Sequence, residues 1–169
     1  DIKRTVPING TFSDEQRMVY DAVYEAQQAG IATARPGARF AEVHRAAIAV
    51  IAQHLGDWGL LPVGVAEALG EHGGQYRRWM VHGTSHHLGI DVHDCAQARV
   101  ENYREGILQP DMIITVEPGL YFKPDDELIP PALRGIGVRI EDDILITSTG
   151  NENLTAALPR RSADIEAWM

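Results

Sequence analysis

Four histidines and two aspartates lie within the fourteen residues 81–94 of this chain. Two further acids occupy apolar, strand-like sequence: Glu117 in Ile113–Gly119 and Glu141 in Gly137–Ile144. A carboxylate inside an apolar strand is unfavourable unless a cation or hydrogen bonds compensate its charge. Two such carboxylates together with a histidine-rich segment therefore predict a metal site.

Strand periodicity predicts which side chains share a cleft at this site. Placing Glu117 and Glu141 on one face would bring like charges together, and a divalent ion removes that repulsion. A salt bridge from Glu117 to Arg139 is the alternative. The polar face should carry Arg139, Glu141 and Asp143, and the apolar face, packed on helices, should carry Val138, Ile140, Ile144 and Ile146.

The histidine-rich segment offers several candidate metal ligands. In an extended segment the adjacent His86 and His87 point to opposite sides, so at most one of them coordinates an ion. One imidazole with several carboxylates suits Mn²⁺, Co²⁺, Fe²⁺ or Zn²⁺ in a catalytic site better than it suits a structural zinc. Carboxylates that bridge two ions activate water, which predicts metal-assisted hydrolysis. His44 and His54 lie on a predicted helix and are more typical of a helix surface.

The composition is that of a globular protein, with 169 residues, 44% hydrophobic and 23% charged. The formal net charge of −9 argues against nucleic-acid binding, because phosphates require clustered Lys and Arg. No apolar run reaches the roughly 18 residues of a membrane span. The single cysteine, Cys95, favours a reducing, cytoplasmic location. It is expected to be a small thiol beside a loop rather than a nucleophile near His93.

Two long helices precede a series of strands, which predicts an α+β fold. Ser13 and Gln16 form a capping-box pattern, so the first helix should cover 14–34, with Gly30 as the point where it could break. The second should cover 40–55, and short helices are expected at 65–69 and near 162. Strands are expected at 1–8, 112–116, 120–123, 136–141 and 143–147, with strand, loop and strand over 82–94.

Four stretches of the chain, in this order, resemble the C-terminal part of the pita-bread metallopeptidases, in particular the Xaa-Pro aminopeptidase (aminopeptidase P) family. They are Asp1–Thr5, His82–Asp94, Thr115–Tyr121 and Arg134–Asp143, and the tail Gly150–Thr155 is also similar. The resemblance implies a curved, mostly antiparallel sheet with helices on its outer face. It also implies that residues 1–169 form a single domain, the C-terminal portion of a pita-bread catalytic domain without its upstream half and N-terminal domain.

The same resemblance implies a metal-ligand set of aspartates, glutamates and one histidine. One more aspartate is expected upstream of the chain, which opens without Met inside strand-like sequence and is expected to be a fragment. The resemblance assigns His82 and His93 to the substrate or the reaction intermediate, Arg139 to support of the ligands, and Glu117 to proton transfer as well. The positions that match metal ligands are Asp1, His86, Glu117 and Glu141.

The activity that the resemblance implies is removal of the N-terminal residue from peptides with proline in second position. The implied cofactors are two divalent metal ions, with Mn²⁺ favoured over Co²⁺, Zn²⁺ or Fe²⁺. They would hold and activate a water, and one of them would polarise the scissile carbonyl. The implied partner is the peptide substrate, with no nucleic acid and no membrane, and a homo-oligomer is left open.

Three alternatives remain at this point. Proline dipeptidase shares the ligands and the fold, whereas methionine aminopeptidase fits the runs Asp91–Asp94 and Glu141–Asp143 less well. A pita-bread-like domain that has lost its metal and serves as a binding module is the third. Because the upstream aspartate is missing, the 169-residue polypeptide alone is expected to bind metal weakly and to be a poor peptidase.

Overall fold

The computed structural model describes residues 1–94 and 103–169, so Cys95 and its predicted surroundings lie outside the described residues. Two long helices, α1 (Asp14–Thr33) and α2 (Phe40–Asp57), pack against each other. The predicted capping box is present at the start of α1. Helix α1 is not broken at Gly30. A Cβ atom at this position would lie 2.9 Å from Val116 Cγ1, so the glycine lets the helix approach the sheet closely.

Two further short helices occur in the described part of the chain, as the sequence predicts. They are α3 (Val65–Ala68) and α4 (Ser162–Trp168). Single 3-10 turns at Gln75–Arg78 and Pro131–Leu133 were not expected from the sequence. Within the two described ranges, the structure has no helix with the length and apolar character needed to cross a membrane.

The strands of the described residues form two small sheets. One has the order β1-β4-β5 and the other pairs β2 with β3, and every pairing is antiparallel. With the helices packed on these sheets, the predicted α+β class is confirmed. The strands are β1 (Ile113–Val116), β2 (Gly119–Tyr121), β3 (Gly137–Arg139), β4 (Asp142–Ile146) and β5 (Asn151–Asn153).

Two predicted strands were wrong. The segment 1–8 forms only an isolated bridge between Lys3 and Glu141. Residues 82–94 contain no regular strand, although His87 forms isolated bridges with Ile114 and with Asp94. Neither segment is a regular strand, because its backbone hydrogen bonds are made at scattered positions instead of in a continuous ladder.

The two faces of the sheets differ as strand periodicity predicts. The side chains of the expected apolar face are buried and join two hydrophobic clusters that α1 and α2 share with the sheets. The opposite face carries acids that are themselves largely shielded from solvent, including Glu141 and Asp143. The buried apolar residues of β3, β4 and the bend between them are Val138, Ile140, Ile144 and Ile146.

Candidate metal centre

His86 is held beside strand β1 by backbone hydrogen bonds. Its carbonyl oxygen accepts from Thr115 N at 2.9 Å, and its own backbone N–H donates to Thr115 Oγ1 at 3.1 Å. Ring nitrogen Nδ1 lies 3.0 Å from the carbonyl oxygen of His87, which can only accept, so Nδ1 carries a proton. In the neutral ring Nε2 therefore has a free lone pair, as a metal ligand requires.

Glu141 is a buried carboxylate without hydrogen bonds. Its side chain is 1% exposed, and among the described residues neither Oε1 nor Oε2 has a hydrogen-bond partner. The Lys3 ammonium group forms an ion pair with this carboxylate, with Nζ 3.7 Å from Oε2. Burial raises the pKa of Glu141, and the neighbouring Glu117 carboxylate raises it further. A divalent cation would compensate this orphaned charge.

Three potential ligands converge on one point. One ligand atom from each of Asp1, His86 and Glu141 lies within 4.8 Å of the other two. His86 Nε2 is 3.6 Å from Asp1 Oδ2 and 3.3 Å from Glu117 Oε1. A set of carboxylate oxygens with one imidazole is the donor chemistry that divalent Mn, Fe, Co or Zn accepts. The residues present therefore fit a divalent metal.

Glu117 has partners that orient both of its oxygens. Thr115 Oγ1 donates to Oε1 at 3.3 Å, and Arg139 Nη1 lies 3.8 Å from Oε2. The alternative salt bridge to Arg139 is thus present in the same geometry that places Glu117 beside His86. The two interpretations of Glu117 do not exclude each other, because a carboxylate has enough lone pairs for an arginine and a metal.

His82 is fixed by two hydrogen bonds. Its Nδ1 donates to the Gly83 carbonyl oxygen at 2.7 Å, so Nε2 of the neutral ring accepts from the Tyr121 hydroxyl at 2.6 Å. Burial raises the pKa of Tyr121, which keeps the hydroxyl protonated as the donor at neutral pH. Arg139 also interacts with this hydroxyl, so Tyr121 links His82 to the residues around Glu117.

Of the other histidines, His93 lies near the cluster, whereas His87, His44 and His54 make contacts away from it. The His93 ring packs edge-on against His86, with centroids 4.4 Å apart. His87 instead stacks on Phe40 at 5.0 Å, as the opposite directions of adjacent side chains predict. On α2, His44 Nδ1 contacts Thr84 Oγ1 at 2.8 Å, and His54 Nε2 contacts an oxygen of Glu25 on α1 at 2.7 Å.

Sequence reasoning left several neighbours of the cluster unassigned. Tyr121 has the same parity as Glu117 along the chain, and Lys3 has the same parity as Asp1, so alternation was the signal that could have found both. The strand pattern correctly predicted that Asp143 lies on the polar face of the sheet, but it did not predict that Asp143 lies near the cluster. Its Oδ2 accepts from the main-chain nitrogen of Asp1 at 2.9 Å, while Oδ1 is buried without a partner among the described residues.

Comparison with known protein families identifies one that covers most of the chain. The model of metallopeptidase family M24 matches residues 1–148. Among curated proteins, Xaa-Pro aminopeptidase 1 of Streptomyces coelicolor is 58% identical over 169 residues, which are 100% of this chain and 34% of that protein. The chain therefore spans about a third of the length of this relative.

Solved structures show the same fold. An aminopeptidase PepP from Pseudomonas aeruginosa superposes with a TM-score of 0.93 at 43% identity, over 100% of this chain and 38% of that one. Zn-substituted Escherichia coli aminopeptidase P in complex with product gives a TM-score of 0.90 at 44% identity, over 100% and 37%. The similarity confirms the predicted pita-bread fold, of which the two antiparallel sheets and the helices α1 to α4 are a part.

Proposed function

The chain belongs to metallopeptidase family M24, and from this premise we propose that it is part of a metal-dependent aminopeptidase. The proposed reaction removes the N-terminal residue from peptides with proline in second position. The names of the similar curated proteins support the substrate class. The observation that carries the proposal is the buried Glu141 carboxylate, which has no hydrogen bond with any described residue, near the free lone pair of His86 Nε2. We further propose that residues 1–169 form a single domain, the C-terminal portion of the catalytic domain.

We propose Asp1, His86, Glu117 and Glu141 as ligands of two divalent ions, with Mn²⁺ the first choice. The oxygen-rich donor set with one imidazole supports this assignment. When bound, such ions lower the pKa of a water and polarise the carbonyl that it attacks. A cytoplasmic location stays a prediction from the single cysteine.

The protein's own side chains would move protons and hold the substrate. Glu117 is the proposed proton carrier, and its contacts with Thr115 and Arg139 keep the carboxylate oriented. We assign His82 and His93 to contacts with the substrate or the reaction intermediate, where an imidazole N–H of either residue would stabilise the charge that develops on the carbonyl oxygen. Tyr121 is proposed as a positioning residue, because its hydroxyl fixes the His82 ring.

A peptide-cleavage assay tests the proposal. The product of the full open reading frame, loaded with Mn²⁺, should release the first residue of an Xaa-Pro-Yaa tripeptide and leave the matched Xaa-Ala-Yaa peptide uncut. Mass spectrometry identifies the products. Cleavage of both peptides at equal rates would contradict the proline specificity, and cleavage of neither would contradict the activity.

Two alternative functions are separated by further measurements. A proline dipeptidase would cleave an Xaa-Pro dipeptide faster than the tripeptide. A binding module without metal would give no heat on titration with Mn²⁺ in a calorimeter. The oxygens of Glu141, which lack hydrogen bonds among the described residues, favour the metal-binding alternative, since in a domain without metal the ion pair with Lys3 at 3.7 Å offsets only part of the cost of burying that charge.

A further inference from the structure

Lys3 lies directly opposite Glu141, a buried acid whose carboxylate has no hydrogen bond with a described residue. In this antiparallel bridge, Lys3 N donates to the Glu141 carbonyl oxygen at 3.3 Å, and Glu141 N donates to the Lys3 carbonyl oxygen at 3.0 Å. Side chains of directly opposed residues in such a pair project from the same face. The backbone therefore holds the Lys3 side chain beside the Glu141 carboxylate, with Nζ 3.7 Å from Oε2.

The Lys3 ammonium is the counter-charge of this carboxylate among the described residues. The other basic groups of the cluster lie beside other acids. Arg139 Nη1 is 3.8 Å from Glu117 Oε2, and His86 Nε2 is 3.3 Å from Glu117 Oε1 and 3.6 Å from Asp1 Oδ2. In the absence of a metal, the ion pair that stabilises the charge of Glu141 in the described part of the chain is therefore the one with Lys3.

A divalent ion on the proposed ligands would compete with this ammonium. One ligand atom from each of Asp1, His86 and Glu141 lies within 4.8 Å of the other two. With a metal–oxygen bond of about 2.2 Å, an ion on Glu141 Oε2 would lie within about 6 Å of Lys3 Nζ, and the two cations would repel each other. The Lys3 side chain is 43% exposed, so its flexible four-carbon stem can turn the ammonium into solvent.

We propose that Lys3 is an internal counter-ion of the metal site. In the metal-free protein its ammonium neutralises part of the charge of Glu141, and it leaves the carboxylate for solvent when a divalent ion binds. Lys3 thus sets the affinity of the proposed ligands, on whose assignment this role depends. Because metal binding must break the ion pair, Lys3 stabilises the metal-free fold and weakens metal binding. Loss of a residue that only supported the structure of the site would instead lower both stability and affinity.

Removal of the Lys3 charge tests this role without depending on peptidase activity. In the product of the full open reading frame, K3M should bind Mn²⁺ about tenfold more tightly than wild type in calorimetry, since the repelling charge is gone. After metal removal with a chelator, K3M should unfold at a lower urea concentration than wild type. K3R retains the charge, so its affinity should stay near that of wild type. The matched control K123M removes the charge of an exposed lysine after β2 and should change neither quantity.

Two further measurements separate the charge of Lys3 from its packing. K3Q, which keeps a polar side chain, should reproduce both effects of K3M. In wild type, the side-chain NMR signal of Lys3, assigned by its absence in K3M, should shift when Zn²⁺ is added. In the metal-free state, K3M should no longer lower the urea midpoint when E141Q is also present, because the ion pair is already lost.

Three results would overturn the role of Lys3. They are Mn²⁺ binding by K3M and K3Q that is no tighter than in wild type, an affinity of K3R equal to that of K3M, and an unchanged Lys3 NMR signal on addition of Zn²⁺. If K3M does not fold, K3Q and the Zn²⁺ titration of wild type, with the signal assigned in K3R, decide the question. Absence of Mn²⁺ binding by wild type would overturn the proposed metal-dependent function as well. Binding by wild type with no change in K3M would overturn the role of Lys3 alone.

Discussion

At the scale of single residues, the proposed metal ligands include a buried carboxylate whose charge is unfavourable in the absence of a cation. Glu141 is buried beside Glu117, and its oxygens have no hydrogen bonds among the described residues. A group placed this way destabilises the metal-free fold and becomes favourable only when a cation is present. Such local conflicts between stability and charge are characteristic of functional sites.

Replacement of Glu141 by glutamine should separate these two effects. Elemental analysis of E141Q should show loss of most of the bound metal, since one of the proposed carboxylate ligands would be gone. In the metal-free state the same variant should be more stable than wild type by about 1 kcal/mol, because a buried charge has been removed. The matched control E152Q changes an exposed glutamate on β5 and should alter neither quantity. Full metal content in E141Q would contradict the ligand assignment.

The Tyr121 hydroxyl offers a second test at this scale. Y121F removes the donor to His82 Nε2 and should lower kcat roughly 10-fold or more, because the imidazole would no longer be held in position. Metal content should be unchanged, because Tyr121 is not a proposed ligand. Y24F, which removes a surface hydroxyl on α1, is the control. A kcat for Y121F equal to that of wild type would show that His82 does not need this contact.

At this scale, residue types and alternation predicted much of the site. The structure places Glu117 and Glu141 near His86, whereas the choice of His86 among the histidines and the assignment of Asp1 came only from the resemblance to a family. The hydrogen bond from Tyr121 to His82 could not be predicted, since it depends on how a strand and an irregular segment cross. Chain parity alone does not give that distance.

At the scale of elements, hydrogen bonds to Asp126 hold the residues that immediately precede His82. Asp126 accepts two hydrogen bonds from Arg78, at 2.8 and 2.9 Å, one from Trp79 Nε1 at 3.1 Å and one from Leu128 N at 3.0 Å. Trp79 and the following Met80 are buried in the larger hydrophobic cluster. The carboxylate thereby fixes the turn that leads into the histidine segment.

The Asp126 anchor predicts a specific dependence of stability on pH. The hydrogen bonds from Arg78 hold the pKa of Asp126 below its usual value. A depressed pKa stabilises the fold above the pKa of the unfolded chain, about 3.9, and this contribution is lost as the pH falls through the folded-state pKa. D126N should therefore lower the urea midpoint at pH 7, and its difference from wild type should shrink below about pH 4.

The neighbouring exposed Asp125 provides the control for this experiment. D125N should leave the urea midpoint near that of wild type at both pH values. A deficit in D126N that stays constant from pH 7 down to pH 3 would show that the carboxylate charge is not the source of the stabilisation.

Helices were more predictable than strands at the element scale. Capping residues and apolar spacing placed α1 and α2 to within a few residues, because helix signals are local. The strands predicted over 1–8 and 82–94 were wrong as regular elements. Their pairing depends on distant partners such as Glu141 and Ile114, and tertiary context decides where a ladder is continuous.

At the scale of the whole molecule, Asp142 connects segments that are far apart in sequence. Its side chain is fully buried and accepts from Arg4 Nη2 at 2.6 Å and Gln27 Nε2 at 2.9 Å. Thr155 and Arg160 contact the same carboxylate from the C-terminal tail. The N-terminal segment, α1, β4 and the tail are therefore joined through one charge, on the opposite face of the strand from Glu141.

Breaking this connection should be costly. D142N leaves Arg4 as a buried cation without its counter-charge, and loss of one partner of a buried ion pair typically costs about 3–5 kcal/mol. Urea unfolding of D142N, R4M and the double variant gives a double-mutant cycle. The double variant should be more stable than the sum of the single losses predicts. Additive losses would show that the two residues are not coupled.

The order of the motifs allowed the family to be predicted from the sequence, whereas the contacts of Asp142 with Arg4, Gln27 and the C-terminal tail were not predicted. Asp142 lies between Glu141 and Asp143 in an acidic run, and such a run alone does not indicate which member faces the interior. The direction follows from the pairing of Val116 with Asp142 in the sheet, a contact set by the fold as a whole.

Asp1, His86 and Glu141 are proposed to share a divalent cation. The most direct test is an anomalous difference map from crystals of the protein grown with Mn²⁺, with data collected on both sides of the manganese absorption edge. We predict a peak about 2.0–2.3 Å from His86 Nε2 and from one carboxylate oxygen of each acid. A map in which manganese binds elsewhere, while these three side chains have no peak between them, would contradict the proposed metal site.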